Sequence, residues 1–209
     1  MKRLNTLLVA IFAFACLPIF AETEAEILTK IAQNGAKINT IESQFTQRKH
    51  AKALKNDITA NGRFYYQKSD KVCMRYSRPQ GDLLLMNGDD FVMIVGGKRN
   101  ATNAQSNPMV KQMRTLLTAC VVGDFERLKT GRNTKISVVE GENNYVLTVV
   151  FDGSAKKYFA NVVLTFDKKS LALQILLMNE ANGNFTEYRF EKPVFNQTIE
   201  AKIFDVQQK

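Results

Sequence analysis

The chain of 209 residues has no Trp, one His and three Cys. The lone imidazole, His50, leaves no multi-histidine metal site, and the thiols and carboxylates show no metal-ligand spacing. A Ser–His dyad would have to use His50, which sits in a surface-like setting between Lys49 and Ala51, and GxSxG is absent. Gly96-Gly97-Lys98 carries part of a phosphate loop without its spacing or a following helix, so it reads as a turn. Asp89 and Asp90 are adjacent, but in a turn, where Asp is common. These residues give an enzyme no support, and no cofactor or metal is expected.

Acidic residues are the scarcer sign, 20 against 29 Lys and Arg, for a net charge of +9. Such a surface suits anionic lipid or acidic partners, or is simply a solvated face. The densest basic run, Arg48-Lys49-His50-Ala51-Lys52, lies in an expected strand with no aromatics interleaved. A nucleic-acid partner is therefore not expected. After residue 21 no apolar run reaches the length of a membrane helix. There is no internal repeat and no linker-like stretch.

What is present is a globular composition, with 45% hydrophobic and 23% charged residues. The apolar bulk comes from 14 Phe, 7 Met and 6 Tyr. Met is adaptable enough for a surface that accepts variable partners, and equally fills ordinary cores. Residues 1–21 read as a secretory signal: Lys2 and Arg3, an apolar run over Leu7–Phe20, and cleavage after Ala21. Cys16 after Ala13-Phe14-Ala15 leaves a lipidated alternative open. Cleavage removes two cations and no anion, which leaves +7, and one domain is expected over residues 22–209. Cys73 and Cys120 then remain, far apart in sequence, and are expected as buried small residues rather than a disulfide.

The chain is organised around Gly62–Val95. Turn signals at Lys68-Ser69-Asp70, Arg78-Pro79-Gln80-Gly81 and Asn87-Gly88-Asp89-Asp90 cut it into four short runs, an antiparallel meander. Phe64 and Tyr66 share one face, and so do Val72, Met74 and Tyr76. Leu83–Met86 and Phe91–Val95 are apolar on both faces. Such strands are covered on both sides, or curl around an apolar space.

Before the meander, apolar spacing predicts a helix over Glu22–Thr40, with Thr23 and Glu26 as a capping box and Asn34-Gly35 as an interruption. Ile41–Leu54 is then extended. A long polar loop follows the meander to Asn107, and Pro108 opens a helix to Cys120, with a short turn at Asp124–Leu128. The remainder reads as strands at Lys135–Val139, Tyr145–Phe151, Tyr158–Asp167, Leu171–Asn179, Phe185–Glu191 and Lys202–Val206. In the fourth-last of these Tyr158, Ala160, Val162, Leu164 and Phe166 share a face; in the next, Leu171, Leu173, Ile175 and Leu177 do. About eleven strands, two helices and no βαβ crossover predict one strongly curved antiparallel sheet with helices on one face, a mainly β (α+β) fold.

Several of these parts, in this order and spacing, resemble the LolA-type lipoprotein carriers. They are the secretory signal, the amphipathic first helix, Phe45-Thr46-Gln47, the Gly62 strand, Met74-Arg75-Tyr76 with Pro79, the Asn87-Gly88 turn, the apolar helix after a long loop, and Phe190-Glu191-Lys192-Pro193. The resemblance implies an incomplete β-barrel covered by a helical lid, with no chemistry. It implies a monomer in the periplasm of a Gram-negative bacterium. Lipoproteins would be taken from an inner-membrane ABC-type release complex and handed to an outer-membrane acceptor. On the same matching, Phe64, Tyr66, Val72, Met74, Leu84, Met86, Phe91 and Met93 contact acyl chains. Ile27, Ile31, Val110, Met113, Leu116 and Leu117 face them from the lid, and Lys68 aligns with a basic residue that latches it. A carrier of another amphiphile (a glycolipid or pigment lipid) and a lipid-sensing regulator on the same fold are the alternatives.

Overall fold

A computed structural model describes residues 22–129, 134–151 and 159–208. Residues 1–21 and Tyr158, on which two expectations rest, lie outside that set. Helix α1 spans Glu24–Ala36, α2 spans Pro108–Val122 and α3 spans Phe125–Lys129. The strands are β1 (Thr40–His50), β2 (Ile58–Gln67), β3 (Lys71–Arg78), β4 (Leu83–Asn87), β5 (Asp90–Val95), β6 (Lys98–Asn103), β7 (Lys135–Glu140), β8 (Asn144–Val150), β9 (Asn161–Asp167), β10 (Leu173–Asn179) and β11 (Phe185–Phe195). They form one antiparallel sheet in the order β6-β5-β4-β3-β2-β1-β11-β10-β9-β8-β7. Every pairing joins chain-order neighbours except β1–β11, where the last strand closes back on the first. β6 and β7 remain as edges, so the barrel is incomplete.

One face of the sheet curls around the main core. Met74 and Met86 from the β1–β5 half and Leu147, Val162 and Leu176 from the β7–β11 half belong to a single cluster with Ile27, Ile31, Leu116 and Leu117 of the helices. The opposite face carries a second, smaller cluster of Cys73, Leu83, Leu85, Val92 and Ile94, covered by Phe204. Leu83–Met86 and Phe91–Val95 read as apolar on both sides for this reason: helices lie on one face and the C-terminal tail on the other.

The tail corrects one expected strand. Lys202–Val206 is not a strand; Ala201–Phe204 is a short 3-10 helix pinned by Asn87 Nδ2 to the Phe204 carbonyl at 3.0 Å and by Arg99 to the Val206 carbonyl at 2.7 Å. The missing strand is supplied by Lys98–Asn103, a polar hairpin partner of β5 in what looked like a loop. Its side chains are mostly exposed, so no apolar alternation marks it. A second correction concerns β10. The β9–β10 ladder slips between Leu173 and Ile175. This bulge turns Leu176 and Met178 into the core, and leaves Ile175 and Leu177 half-buried on the other face.

Local chemistry accounts for the helix ends. Thr23 and Glu26 form the expected capping box at α1. Asn107 caps α2 through its side-chain oxygen, Pro108 takes the first helical position, and Gly123 ends it at φ 65°. The Asn34-Gly35 pair does not interrupt α1, which runs through to Ala36. Gly35 instead marks where α1 meets α2: a Cβ there would stand 1.6 Å from the Val122 carbonyl oxygen.

Both Cys73 and Cys120 are free and fully buried, in clusters on opposite faces of the sheet. Burial pushes the Cys73 thiol up to about 11 and the Cys120 thiol higher still. Neither is expected to react with a thiol reagent in the native protein, and both should react at once in denaturant. A fast native reaction at either would show that its face opens.

Candidate functional site

The meander and the two long helices enclose the site. Register places the eight candidate sheet residues on one face. Phe64 pairs with Met74, Met74 with Leu84 and Leu84 with Met93; Tyr66 pairs with Val72, Val72 with Met86 and Met86 with Phe91. Two cross-strand rows result, both directed at the helices. Phe64, Tyr66, Val72, Met74 and Met86 are buried, Leu84 and Phe91 pack against them, and Met93 is half-buried toward the edge. From the helices, Ile27, Ile31, Val110, Leu116 and Leu117 are buried and Met113 packs half-buried on the same core. Aromatics continue the wall across β1 and β11, with Phe45 edge-on to Tyr76 at 5.1 Å and Phe64 edge-on to Phe190 at 5.0 Å. Tyr76 and Tyr188 are neighbours there, and burial pushes the Tyr76 phenol up to about 12 and that of Tyr188 higher.

The interior is therefore apolar and, with the helices in place, filled. A small pocket against Ile41, Ser43 and Phe64 measures only about 20 Å³. A cleft of about 670 Å³ opens at the rim, between the ends of α1 and α2 and the β2–β3 and β4–β5 turns. Its walls are Ala32, Ala36, Ile38, Tyr66 and Val122, and its lip carries Lys68, Asp70 and Arg127. A ligand with long apolar chains can occupy the interior only if the helices move.

The ties that hold the helices are mostly at this rim. Lys68 Nζ donates to the Ala36 carbonyl at 3.3 Å, at the last residue of α1. Sequence reasoning missed two stronger ties. Arg127 of α3 donates two hydrogen bonds to the Asp70 carboxylate, both at 2.7 Å. Arg114 of α2 donates to the Gly88 carbonyl at 2.8 Å and to Asp89. The acids sit in hairpin turns and the guanidinium groups on the helices. Asp70 and Asp89 had only the signature of turn formers, and nothing local in the sequence pairs them with arginines tens of residues away. At the far end of α1, Glu22 is bonded to Lys30 at 3.0 Å and to the Tyr145 hydroxyl, and Glu24 accepts from the Val138 amide at 3.0 Å.

Hydrogen bonds from Arg127 hold the Asp70 carboxyl below its ordinary value. A depressed carboxyl stabilises the fold above its unfolded value of about 3.9, and that contribution is lost as pH falls through the lowered folded value. Asp70→Asn is thus expected to lower Tm at pH 7 by roughly 2–4 °C, for a partly exposed pair worth about 1 kcal/mol. The difference from wild type should shrink as pH falls below about 3.9 and vanish only below the lowered folded value. A deficit that persists in acid would mean that Asp70 acts through packing and not through its charge.

His50 lies apart from this arrangement. Its Nδ1 lies 2.7 Å from Asp57, and its ring stacks on Phe185 at 5.2 Å, far along the sheet from the rim. No group of His, Cys, Asp or Glu that could hold a metal occurs among the described residues, and none of their helices is long and apolar enough to cross a membrane.

An open sheet is thus rolled around an apolar interior and covered by tethered helices, an incomplete barrel. The sequence matches the family model of the outer membrane lipoprotein carrier protein LolA over residues 36–207, and the chain belongs to that family. No curated protein matches it. Solved structures align with it at low identity. The MucA/MucB complex of Pseudomonas aeruginosa aligns at 11% identity and TM-score 0.50, over 86% of this chain and 59% of that one. A LolA superfamily protein from Nitrosomonas europaea aligns at 10% and 0.44, over 88% and 98%. Lipoprotein LppX of Mycobacterium tuberculosis aligns at 12% and 0.46, over 85% and 99%.

Proposed function

We propose that the protein is a periplasmic carrier that shelters the acyl chains of lipoproteins between the inner and outer membranes. Residues 1–21 would direct export and be removed, so that Glu22 begins the mature domain. The observation that carries this reading is the pairing of a continuous apolar face, Phe64 through Met93, with helices that pack on that core by apolar stripes and whose polar ties lie chiefly at one rim. Side-chain ties of this kind are individually weak, so a ligand that covers the same face can lift the helices from it. Each CH₂ withdrawn from water contributes about 0.8 kcal/mol, so long acyl chains supply the differential affinity that such a displacement needs. In this reading the sheet residues named above contact the chains, and Ile27, Ile31, Val110, Met113, Leu116 and Leu117 form the inner surface of the lid. Lys68 holds the end of α1, with Asp70–Arg127 as the firmer clasp. The donor would be an inner-membrane ABC-type release complex and the recipient an outer-membrane acceptor.

The test is release from spheroplasts. Purified residues 22–209 should bring newly made lipoproteins into the soluble fraction as one-to-one complexes. Absence of release, with a glycolipid or another amphiphile copurifying, would replace lipoproteins by that cargo. Absence of both would sink the carrier reading.

A further inference from the structure

We propose that Ser43 is a polar anchor inside the acyl site, its hydroxyl donating a hydrogen bond to the ester or amide carbonyl of an acylated ligand; this rests on the carrier reading above. Ser43 is 3% exposed, and its Oγ has no hydrogen-bond partner among the described residues. A buried hydroxyl without a partner is destabilising, and native proteins keep few of them. The two residues on either side of it along the same face, Ile41 and Phe45, are both apolar and buried.

Ser43 lines the small pocket, whose other walls are apolar, among them Ile41, Phe64, Val121, Phe190 and Pro193. A bulge makes the gap. Glu42 pairs with Val194 and Gln44 with Glu191, so Ser43 faces two residues, Lys192 and Pro193. Lys192 takes φ 50°, and Pro193 has no amide hydrogen to offer. The pocket is about the size of one water, and Ser43 is the one polar side chain among those that line it.

Depth matches the order of groups in an acylated ligand. Ile41, two residues nearer the rim on the same face, pairs with Tyr66, which lines the cleft beside Lys68 and Arg127. Val121 lines the pocket and Val122 the cleft. From rim to interior come a charged lip, the unpartnered Ser43 hydroxyl, then a wall whose Tyr76 and Tyr188 hydroxyls are bonded to each other and whose other side chains beside Phe45 are apolar. An acylated head group presents polar atoms, then a carbonyl, then hydrocarbon. An alkyl chain joined through an ether has no equal acceptor for the Ser43 hydroxyl.

The experiment compares monopalmitoyl glycerol with monohexadecyl glycerol ether, which differ at the carbonyl, on wild type and Ser43→Ala. Wild type should bind the ester about 3- to 10-fold more tightly, the worth of one net hydrogen bond. Ser43→Ala should bind the two alike, with the ether no weaker than before and Tm not lowered. An ester preference that survives in Ser43→Ala, or none in wild type while both probes bind, overturns the anchor and leaves the carrier reading standing. Binding of neither probe to wild type overturns both.

Discussion

Gly35→Ala should loosen the helical cover more than any other single methyl group added to the chain. The added carbon would lie 1.6 Å from the Val122 carbonyl oxygen, and backbone cannot rotate away as a side chain can. The crossing is close on both sides, since a Cβ on Gly123 would lie 2.5 Å from Ile31 Cγ2. Relief requires α1 and α2 to part, which uncovers the core beneath Ile31 and Leu117. Overpacking of this kind costs about 3 kcal/mol at its upper range. Tm should fall by roughly 6–12 °C for a domain of this size. A hydrophobic dye should bind at temperatures where wild type excludes it. Gly97→Ala is the control: φ is 75° there, but nothing lies within 4 Å of the new carbon. It should cost about 1 kcal/mol for the left-handed backbone, with no dye uptake. Equal behaviour of the two variants would show that α1 and α2 are not packed backbone to backbone.

Met113→Glu should abolish acyl binding while leaving the fold standing. Met113 lies on the inner stripe of α2 but is half-buried, so a carboxylate can bend toward water in the free protein. With chains on the sheet face it would have to stay ionised against hydrocarbon or take up a proton, and either is unfavourable. Binding of a triacylated lipopeptide should weaken at least ~10-fold, about 1.4 kcal/mol, with an unchanged far-ultraviolet circular dichroism spectrum. Undiminished binding would remove α2 from the ligand's surroundings. The same charge at Leu116, 1% exposed, would not discriminate, because it would unfold the core first.

Much of this was legible because the period of the sequence and the period of the structure agree. In β2 and β3 the alternation of Phe64, Tyr66, Val72 and Met74 survives into the ladder without a slip, so the chosen residues fall on the helix-covered face together. The capping box of α1 and Pro108 at the start of α2 are local signals and read correctly. What escaped was non-local or irregular. The bulge at Gln174 inverted the expected face of Ile175 and Leu177, since a single unpaired residue moves every later side chain across the sheet. Lys98–Asn103 lacks apolar residues because an outer edge strand needs none, and the tail helix at Ala201–Phe204 carries one large anchor, Phe204, which looked like strand alternation. Gly35 resembled a helix breaker; its meaning depends on Val122, 87 positions away. The Arg127–Asp70 clasp is likewise set by the fold, and only Lys68 carried a trace of it in sequence.

The central claim is that acyl chains enter between the sheet and the helices, which lift from the sheet and cover the chains. The most direct measurement is the distance between spin labels on Lys111→Cys, exposed on α2, and Thr46→Cys, exposed on the outer face of β1. The native thiols at Cys73 and Cys120 are buried and should stay unlabelled. Saturation with a triacylated lipopeptide should lengthen and broaden that distance as α2 leaves the sheet. Stoichiometric binding with the distance unchanged would contradict the account, because the core would then be permanent and the ligand held elsewhere.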